Sequence, residues 1–448
     1  MGVEKKNDDM RSLSLRLVVW YRIYCITYIS LSKQMNIFPY QREGIDWMKR
    51  RESDTSNEVK GGILADQMGM GKTLQIAMLI KEQKVRKTLL IIPAVVAKDW
   101  TKLFDKLRIR HAVYPSVIKE KSKKLQVQIY TNGYLCRMSP QERFGINNWD
   151  RVIIDEGHFL LNGSSCQSRN LRELQTKFWW VMSATPVKLN NEYKYYFRLF
   201  KDPSYNIRTR SDLDNIMLAR KIKDIPYLME NFPDKTVTIK VVDAPSDELT
   251  KYKNVKERSI HYKMPFLEQS VRLMQATVDV NLSQSSIYNK YKDPDDYCVS
   301  SNDIYYAKYK TMIDDLNKDI DRPTIIFCRF KREIELFKQL LAKQNTTYGI
   351  IDGDHKDLDI ISNKSSKSSS PPTVLLCQVS VASVGLNLQH YNRVFLTMPM
   401  WSLWTQDQAI ARSYRYGQKN KVDATIYSLA GSIDEYLLGR HELMKEVW

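Results

Sequence analysis

One segment of the sequence has the residues needed to grip a chain of phosphates. After the apolar stretch 62–65 the chain continues Asp66-Gln67-Met68-Gly69-Met70-Gly71-Lys72-Thr73. Glycines allow a tight turn, and N–H groups at the start of a following helix attract phosphate. Lys72 would contact the β- and γ-phosphates, and the Thr73 hydroxyl would ligate Mg²⁺. The pattern predicts a nucleoside triphosphate site; the alternative is a chance glycine loop before a helix.

An acidic pair follows a second apolar run. Residues 152–154 are Val-Ile-Ile, and Asp155 and Glu156 come directly after them. Open α/β sheets place their ligands at the carboxyl ends of strands. Asp155 would hold Mg²⁺ through its water shell, and Glu156 would orient and deprotonate the attacking water. Alone, such a pair is more often a solvated strand end or a helix cap, but together with Lys72 and Thr73 it favours hydrolysis.

Hydroxyl side chains end a third apolar run. Residues 178–182 form this run, and Ser183 and Thr185 follow it before Pro186. Small hydroxyl residues at the end of a buried strand are suited to sensing a neighbouring site and relaying its state. We therefore expect them to couple the nucleotide site to another part of the protein.

Two arginines near the end of the chain supply a further element of such chemistry. Arg412 and Arg415 are three residues apart, a spacing that places both on one face of a helix. Guanidinium groups of this kind can neutralise charge on a γ-phosphate in the transition state. The alternative is that both arginines lie on a solvated helix face. Because the chain also has a phosphate loop, we favour a role as arginine fingers, which stabilise the γ-phosphate in the transition state.

In this order, the segments resemble the Swi/Snf-type ATPases of helicase superfamily two, the motors of chromatin remodelling and of related viral and repair proteins. The resemblance covers nearly all of the chain after residue 35. It rests on the blocks at residues 38–48, 66–73, 89–93 with Trp100, 129–131, 149–158, 183–191, 232–235, 385–388, 401–418 and 432–435.

The resemblance implies a role for each matching residue. ATP with Mg²⁺ would be held by Gln41 at the adenine, by Asp66, Met68, Gly69, Met70, Gly71, Lys72 and Thr73, by Asp155 at the metal, and from the second lobe by Gly385, Gln408, Arg412 and Arg415. His158, Ser183 and Thr185 would couple ATP to DNA, and Thr131 and Trp401 would contact DNA. Trp401 also follows apolar residues, so a core position is its alternative.

Some positions depart from the family pattern. The family usually has glutamate at Gln67, glycines near Ala382 and Ser383, aspartate at Ala411 and histidine at Tyr414. The acidic pair and both arginines are intact. We expect an active ATPase whose stimulation by DNA is altered rather than lost.

The expected fold is α/β, with two tandem RecA-like parallel-sheet lobes and a helical insertion between them. Residues 1–34 would be an amphipathic or dispensable extension, with Met35 a possible working start; 35–200 would form the first lobe, 201–300 helical protrusions and linker, and 301–448 the second lobe. Strands are predicted near 62–65, 89–92, 152–155 and 181–183, near 236–242, and near 323–328, 374–377, 394–396 and 425–429. Amphipathic periodicity predicts helices near 218–229 and 267–278.

Composition agrees with a nucleic-acid partner. The 448 residues carry a formal net charge of +18, which favours a polyanion through phosphate contacts and counterion release. Six scattered cysteines without a Cys-x-x-Cys pair indicate reduced thiols, buried at Cys328 and Cys377, and no zinc site is expected. Arg16 and Arg22 interrupt the apolar segment 11–31 and argue against a membrane span. We expect an intracellular monomer of the nucleus or a viral replication compartment.

The sequence therefore predicts an ATP-dependent translocase on double-stranded DNA, bound mainly through phosphates without sequence preference. Three alternatives stay open: a strand-separating helicase, a transcription-coupled ATPase such as one from a large DNA virus, and a non-hydrolysing nucleic-acid scaffold. Intact Lys72, Glu156 and Arg415 argue against the scaffold.

Overall fold

A computed structural model of the protein describes residues 37–54, 60–83, 85, 87–114, 125–137, 149–157, 166–186, 193–200, 210–280, 282–283, 306–352, 371–382 and 388–446. These residues form two compact units. Unit 1 comprises the described residues up to Ile92 together with Trp100–Lys221, and unit 2 comprises Pro93–Asp99 and the described residues from Ile222 onward. The domain bounds drawn from the sequence stay predictions.

The sheet of unit 1 has seven strands among the described residues, all parallel. They are β1 (Gly61–Leu64), β2 (Thr88–Ile92), β3 (His111–Tyr114), β4 (Val127–Thr131), β5 (Trp149–Asp155), β6 (Thr176–Met182) and β7 (Met217–Leu218). Their order is β3-β4-β2-β5-β6-β1-β7. Every residue of β1 and β2 is buried, as expected for continuous apolar runs in a parallel sheet covered on both faces.

Helices connect these parallel strands, because a parallel pair requires a crossover. The helices before residue 222 are α1 (Pro39–Ser53), α2 (Lys72–Glu82), α3 (Ala97–Leu107), α4 (Asn132–Arg137), α5 (Cys166–Glu173), α6 (Tyr193–Phe200) and α7 (Arg210–Asp214), with a 3₁₀ turn at Ala94–Val96. Pro39 begins α1, a position where its missing N–H is not needed.

The sheet of unit 2 has six parallel strands among the described residues. They are β8 (Lys235–Val242), β9 (Thr324–Cys328), β10 (Tyr348–Ile351), β11 (Val374–Gln378), β12 (Arg393–Leu396) and β13 (Val422–Leu429), in the order β10-β11-β9-β12-β13-β8. Successive residues of β9 join two different core clusters, with Ile325 and Phe327 in one and Ile326 and Cys328 in the other. The sheet is therefore buried on both faces.

The helices of unit 2 are α8 (Pro226–Asn231), α9 (Ser246–His261), α10 (Phe266–Ala276), α11 (Tyr306–Asn317), α12 (Lys331–Ala342), α13 (Val379–Ala382), α14 (Leu403–Ile410) and α15 (Ile433–Glu446), with a 3₁₀ turn at Ile222–Asp224. No described helix of the chain has the length and apolarity needed to cross a membrane.

The predicted fold class is confirmed, because both units are parallel-sheet α/β lobes. In the chain, helices α9 and α10 lie between strands β8 and β9. All nine predicted strands are present, and Cys328 and Cys377 are buried in β9 and β11. The helix predicted near 267–278 is α10. The segment 1–34 and Met35 lie outside the described residues.

The helix predicted near residues 218–229 is wrong. Leu218 ends β7, whose carbonyl there accepts the N–H of Ala65, and a 3₁₀ turn and the short helix α8 follow. Pro226 occupies the first position of α8 because proline has no N–H to continue a preceding helix. Pairing with β1 and this proline override the amphipathic periodicity.

A buried ion pair fixes α1 against the sheet of unit 1. Arg151 of β5 donates from Nε to Oε1 of Glu52 at 2.6 Å, and both side chains are inaccessible to solvent. Trp180 of β6 donates its indole N–H to the same Glu52 oxygen at 2.9 Å. The end of α1 is thereby tied to two neighbouring strands.

Glu52→Gln should destabilise the protein strongly, because it leaves the Arg151 guanidinium buried without a countercharge, at a cost on the order of 3–5 kcal/mol. The midpoint of urea unfolding followed by circular dichroism measures the change. Lys177→Gln is the control: Lys177 lies 3.7 Å from Asp150 on the same two strands but is 74% exposed, and it should cost at most about 1 kcal/mol. Equal midpoints for the two variants would contradict the assigned role of the pair.

Candidate nucleotide site

Three adjacent strands of unit 1 end at the predicted chemistry. The sheet order places β6 between β5 and β1, and all three run parallel, so their carboxyl ends lie at one edge. The phosphate loop follows β1, Asp155 ends β5 with Glu156 directly after it, and Ser183 follows β6. The N–H of Ser183 donates to the carbonyl of Leu64 at 3.2 Å, which joins the third segment to the start of the phosphate loop. The fold thus brings these predicted residues together.

The phosphate loop has the backbone that its glycines allow. Gly69 and Gly71 have φ values of 85° and 75°, in the region that favours glycine. A Cβ at position 71 would lie 2.5 Å from Nε2 of Gln41, so the loop also has no space for a side chain there. Helix α2 starts at Lys72 with no acidic residue in its first turn and no side-chain cap from Gly71. N–H groups at the start of a helix attract anions.

Gln41 and Tyr40 bind the loop from α1. The Tyr40 hydroxyl and Nε2 of Gln41 donate to the carbonyl of Met70 at 2.9 and 3.1 Å, and Oε1 of Gln41 accepts the N–H of Phe38 at 3.1 Å. These contacts orient the amide of Gln41, which is 4% exposed. The residue assigned to adenine is therefore held directly against the residues assigned to phosphate.

Asp66 is the first residue of the loop segment, and its carboxylate is fully buried. Arg220 donates from Nε to Oδ1 at 2.9 Å and from Nη2 to Oδ2 at 2.6 Å, and Gln75 of α2 donates to Oδ2 at 2.9 Å. The ammonium of Lys72 donates to the Asp66 carbonyl at 2.6 Å. The carboxylate of Asp66 thus ties the loop to Arg220 and to Gln75 of α2. The predicted contact of Asp66 with nucleotide stays a prediction.

Arg220 is a residue that the sequence reasoning missed. Burial lowers the pKa of Arg220, but hydrogen bonding and charge attraction from Asp66, with a smaller contribution from Glu43, outweigh it and raise that pKa above its ordinary value. In sequence, Arg220 is the first of two basic residues after a short apolar run, and 154 residues separate it from Asp66. No local spacing marks such a pair.

The acidic pair has a defined geometry. The indole N–H of Trp100, a residue of α3 that is 1% exposed, donates to Oδ2 of Asp155 at 2.9 Å. Glu156 has φ of 51°, a left-handed conformation that is uncommon outside glycine and is found at functional sites. The backbone thus leaves the strand conformation at Glu156, directly after Asp155, and the roles of the two carboxylates as metal ligand and base stay predictions.

The hydroxyl segment after β6 is buried. Ser183 is inaccessible, and its hydroxyl oxygen accepts the N–H of Thr185 at 3.1 Å. The Tyr196 hydroxyl of α6 donates to the carbonyl of Pro186. This segment contacts β1 on one side and α6 on the other, and its coupling role stays a prediction.

The donor set fits a magnesium-bound triphosphate. Thr73 and Asp155 offer hydroxyl and carboxylate oxygens, which Mg²⁺ prefers, and phosphates and water would supply the rest of its octahedron. Within the described ranges no three His, Cys, Asp or Glu side chains converge on one point, so a cage made only of protein ligands is not formed there.

In unit 2, Arg412 and Arg415 lie on a turn. We predicted one helical face, and this is wrong, because α14 ends at Ile410 and the carbonyl of Arg412 accepts the N–H of Leu388 at 3.2 Å. Gln418 fixes the turn by donating from Nε2 to the carbonyl of Gln389 at 2.8 Å, and Gly417 has φ of 91°. Burial lowers the pKa of Arg415, and an arginine remains charged at neutral pH nevertheless.

The remaining predicted residues have varied environments. Gln408 on α14 is 3% exposed. Trp401 is half-buried against a core cluster, with the Arg440 guanidinium 4.7 Å from its ring centroid. Thr131 ends β4, and its hydroxyl oxygen accepts the N–H of Tyr134, as at a helix start. His158 and Gly385 lie outside the described residues.

The two halves of the chain match two families of domains. An SNF2-related domain matches residues 40–202, and a helicase conserved C-terminal domain matches residues 307–417. The chain belongs to the Swi/Snf-type ATPases of helicase superfamily two.

Relatives of this Swi/Snf-type ATPase occur in bacteria, animals and viruses. An uncharacterized ATP-dependent helicase of Mycoplasma genitalium is 24% identical over 89% of this chain and 40% of its own length. A RAD54-like DNA repair and recombination protein of Drosophila willistoni is 25% identical over 91% of this chain and 62% of its own. A probable global transactivator of Orgyia pseudotsugata multicapsid polyhedrosis virus is 22% identical over 91% of this chain and 89% of its own. The chain thus spans only part of the first two relatives.

Among solved structures, the chain is similar to the Sulfolobus solfataricus SWI2/SNF2 ATPase core in complex with double-stranded DNA. The structural alignment covers 92% of this chain and 93% of the other, with a TM-score of 0.41 and 21% sequence identity.

Trp100→Phe should weaken the use of Mg²⁺ by this Swi/Snf-type ATPase, because it removes the N–H that orients Asp155 while it keeps an aromatic ring. Loss of such an outer partner typically costs about 10–100-fold in metal affinity or activity. The Mg²⁺ concentration for half-maximal ATP turnover should rise about tenfold. Trp179→Phe, a buried tryptophan of β6, is the control and should leave that concentration within about twofold. An equal rise in both variants would point to general loosening of unit 1.

Proposed function

We propose that the protein is a DNA-dependent ATPase that moves along double-stranded DNA. The observation that carries the proposal is the arrangement at the carboxyl edge of β1, β5 and β6, where a phosphate loop, an acidic pair and a buried hydroxyl segment adjoin. Phosphoryl transfer requires positioning and charge stabilisation more than covalent chemistry, and this edge offers both.

In the proposed reaction, N–H groups of the loop and the ammonium of Lys72 bind the phosphates. Glu156 orients a water molecule for attack on the γ-phosphate and accepts its proton, while the bond from the γ-phosphorus to the β–γ bridging oxygen breaks and ADP leaves. Bound Mg²⁺, held by Thr73 and Asp155, would neutralise charge on the phosphate oxygens. Arg412 and Arg415 stabilise the charge of the transition state when the second lobe engages the nucleotide.

Double-stranded DNA is the proposed track. The net charge of +18 favours a polyanion, and a repair and recombination protein is among the relatives. Contacts to phosphates carry no base code, so binding should be independent of sequence. Thr131 and Trp401 are the proposed DNA contacts, and Ser183, Thr185 and His158 the proposed coupling residues. We place a monomer in the nucleus or in a viral replication compartment.

Purified protein should hydrolyse ATP slowly alone and several-fold faster with duplex DNA, because DNA bound by both lobes favours the engaged state. Release of phosphate is measured with duplex DNA, single-stranded DNA and RNA of equal length at one salt concentration. Stimulation by RNA equal to that by duplex DNA, or stimulation by none of the three polymers, would rule out a duplex translocase.

Arg412→Ala and Arg415→Ala should each cut turnover on the order of a hundredfold while ATP affinity stays within roughly tenfold, since a finger acts on charge in the transition state. DNA binding should persist in both variants. Lys338→Ala is the control from the same unit, since Lys338 of α12 pairs with Glu335 and is assigned no contact with nucleotide or DNA. Normal turnover in both finger variants would leave Arg412 and Arg415 without their proposed role.

A further inference from the structure

We propose that Arg220 is a positioning residue of the ATP site, which holds the phosphate loop and the adenine-side helix α1 in register. The inference rests on the proposed function, because it assigns Arg220 to the same site. Arg220 touches neither adenine nor phosphate in this account and acts through Asp66 and Tyr40.

Arg220 joins three segments that are far apart in the chain. Its guanidinium donates to both oxygens of Asp66 in the loop, and Nη2 also donates to Oε1 of Gln75 in α2 at 3.2 Å. On the other side, Nη1 donates to the carbonyl of Tyr40 in α1 at 2.6 Å. The Tyr40 ring lies beneath the guanidinium carbon, with 5.5 Å to the ring centroid. One planar side chain thus links α1 to the loop, in addition to the bonds of Tyr40 and Gln41 to the Met70 carbonyl.

The backbone at Arg220 binds the loop as well. The N–H of Gln67 donates to the Arg220 carbonyl at 2.9 Å, continuing the pairing in which Ala65 donates to Leu218. The main chain and the side chain of Arg220 therefore bind two successive residues of the loop, Gln67 and Asp66. Arginine is suited to this role because its guanidinium binds a carboxylate with two parallel hydrogen bonds.

Helix α1 packs closely against the side chains of Arg220 and Gln75. A Cβ at Gly44 of α1 would lie 2.0 Å from Oε1 of Gln75 and 2.8 Å from Nη2 of Arg220. A glycine on the inner face of α1 therefore lets the helix approach this group of side chains closely. The Arg220 side chain is 13% exposed and that of Asp66 is inaccessible, so the pair is shielded from water.

The charge of the Asp66 carboxylate makes the Arg220 contact important for ATP binding. Asp66 is a buried carboxylate in the loop that is proposed to bind a triphosphate, and like charges in a shielded site repel strongly. Arg220 neutralises that carboxylate, and the Asp66 carbonyl meanwhile accepts from Lys72. Loss of Arg220 would leave an uncompensated negative charge next to the phosphates. It would also remove one of the contacts that fix α1 to the loop, while the bonds of Tyr40 and Gln41 to Met70 remain.

Two effects should therefore appear together in Arg220→Gln of the full chain. The KM for ATP and the Kd of a fluorescent ADP analogue should rise about tenfold or more, with kcat changed less. Selectivity for ATP over GTP should fall as well, because Gln41 is assigned to adenine and its helix loses the Arg220–Tyr40 contact that helps to position it. Arg220→Lys, which keeps the charge but not the two parallel bonds, should lie between Arg220→Gln and the wild type.

The double variant Asp66→Asn/Arg220→Gln separates positioning from general stability. Removing the carboxylate as well should restore part of the ADP affinity, because no uncompensated charge remains near the phosphates. Arg50→Gln is the control, since it removes a positive charge from the exposed side of α1. It should leave ADP affinity and nucleotide selectivity within about twofold of wild type.

The proposal is overturned if Arg220→Gln keeps ADP affinity and ATP:GTP selectivity within twofold of wild type, or if the double variant binds ADP no better than Arg220→Gln. Should Arg220→Gln fail to fold, Arg220→Lys decides by the same two readouts. DNA-stimulated turnover in the wild type together with unchanged Arg220 variants would overturn this inference alone. A wild-type protein that binds no nucleotide would overturn the proposed function with it.

Discussion

Parallel pairing of β5, β6 and β1 is the constraint on which the rest of this site depends. A parallel sheet delivers the carboxyl ends of its strands to one edge, and here three neighbouring strands end at a phosphate loop, an acidic pair and a hydroxyl segment. The register Ile154–Val181 and Leu64–Met182 keeps those ends level with each other. A one-residue slip in either pairing would move the carboxylates away from the loop and reverse the faces of the strand.

Two buried ion pairs fix the segments that form this edge. Asp66 with Arg220 fixes the loop, and Glu52 with Arg151 fixes the far end of α1, so the helix that carries Gln41 is held at both ends. Each pair joins segments that are remote in sequence. Buried ion pairs are weak sources of net stability, but breaking one leaves an uncompensated charge, which makes the arrangement specific. The same side chains that define the fold of unit 1 thereby define the shape of its site.

The sequence predicted the elements whose cause is local. Apolar β-branched runs predicted the strands, and the glycines before Lys72 predicted the loop, because each signal lies within a few residues. Arg220 could not be predicted, since its partners Asp66 and Tyr40 are brought to it only by the pairing of β7 with β1.

The two wrong predictions have the same origin. The segment 218–229 is amphipathic, but β-pairing and Pro226 decide its structure. Arg412 and Arg415 have helical spacing, but the Arg412 carbonyl binds Leu388, a residue 24 positions earlier in the chain, so the helix ends before them. Periodicity reports which side chains face one way in a helix and carries no information on a contact made from outside it.

We propose that one edge of unit 1 binds ATP and also hydrolyses it, with separate residues for each task. Calorimetric titration of Mg-ATP, paired with single-turnover hydrolysis, tests this directly on Glu156→Gln and Lys72→Ala. We expect Glu156→Gln to bind Mg-ATP within a few-fold of wild type yet to hydrolyse it at least about a hundredfold more slowly, whereas Lys72→Ala should lose binding and turnover together. Near wild-type turnover by Glu156→Gln, or tight binding by Lys72→Ala, would contradict it.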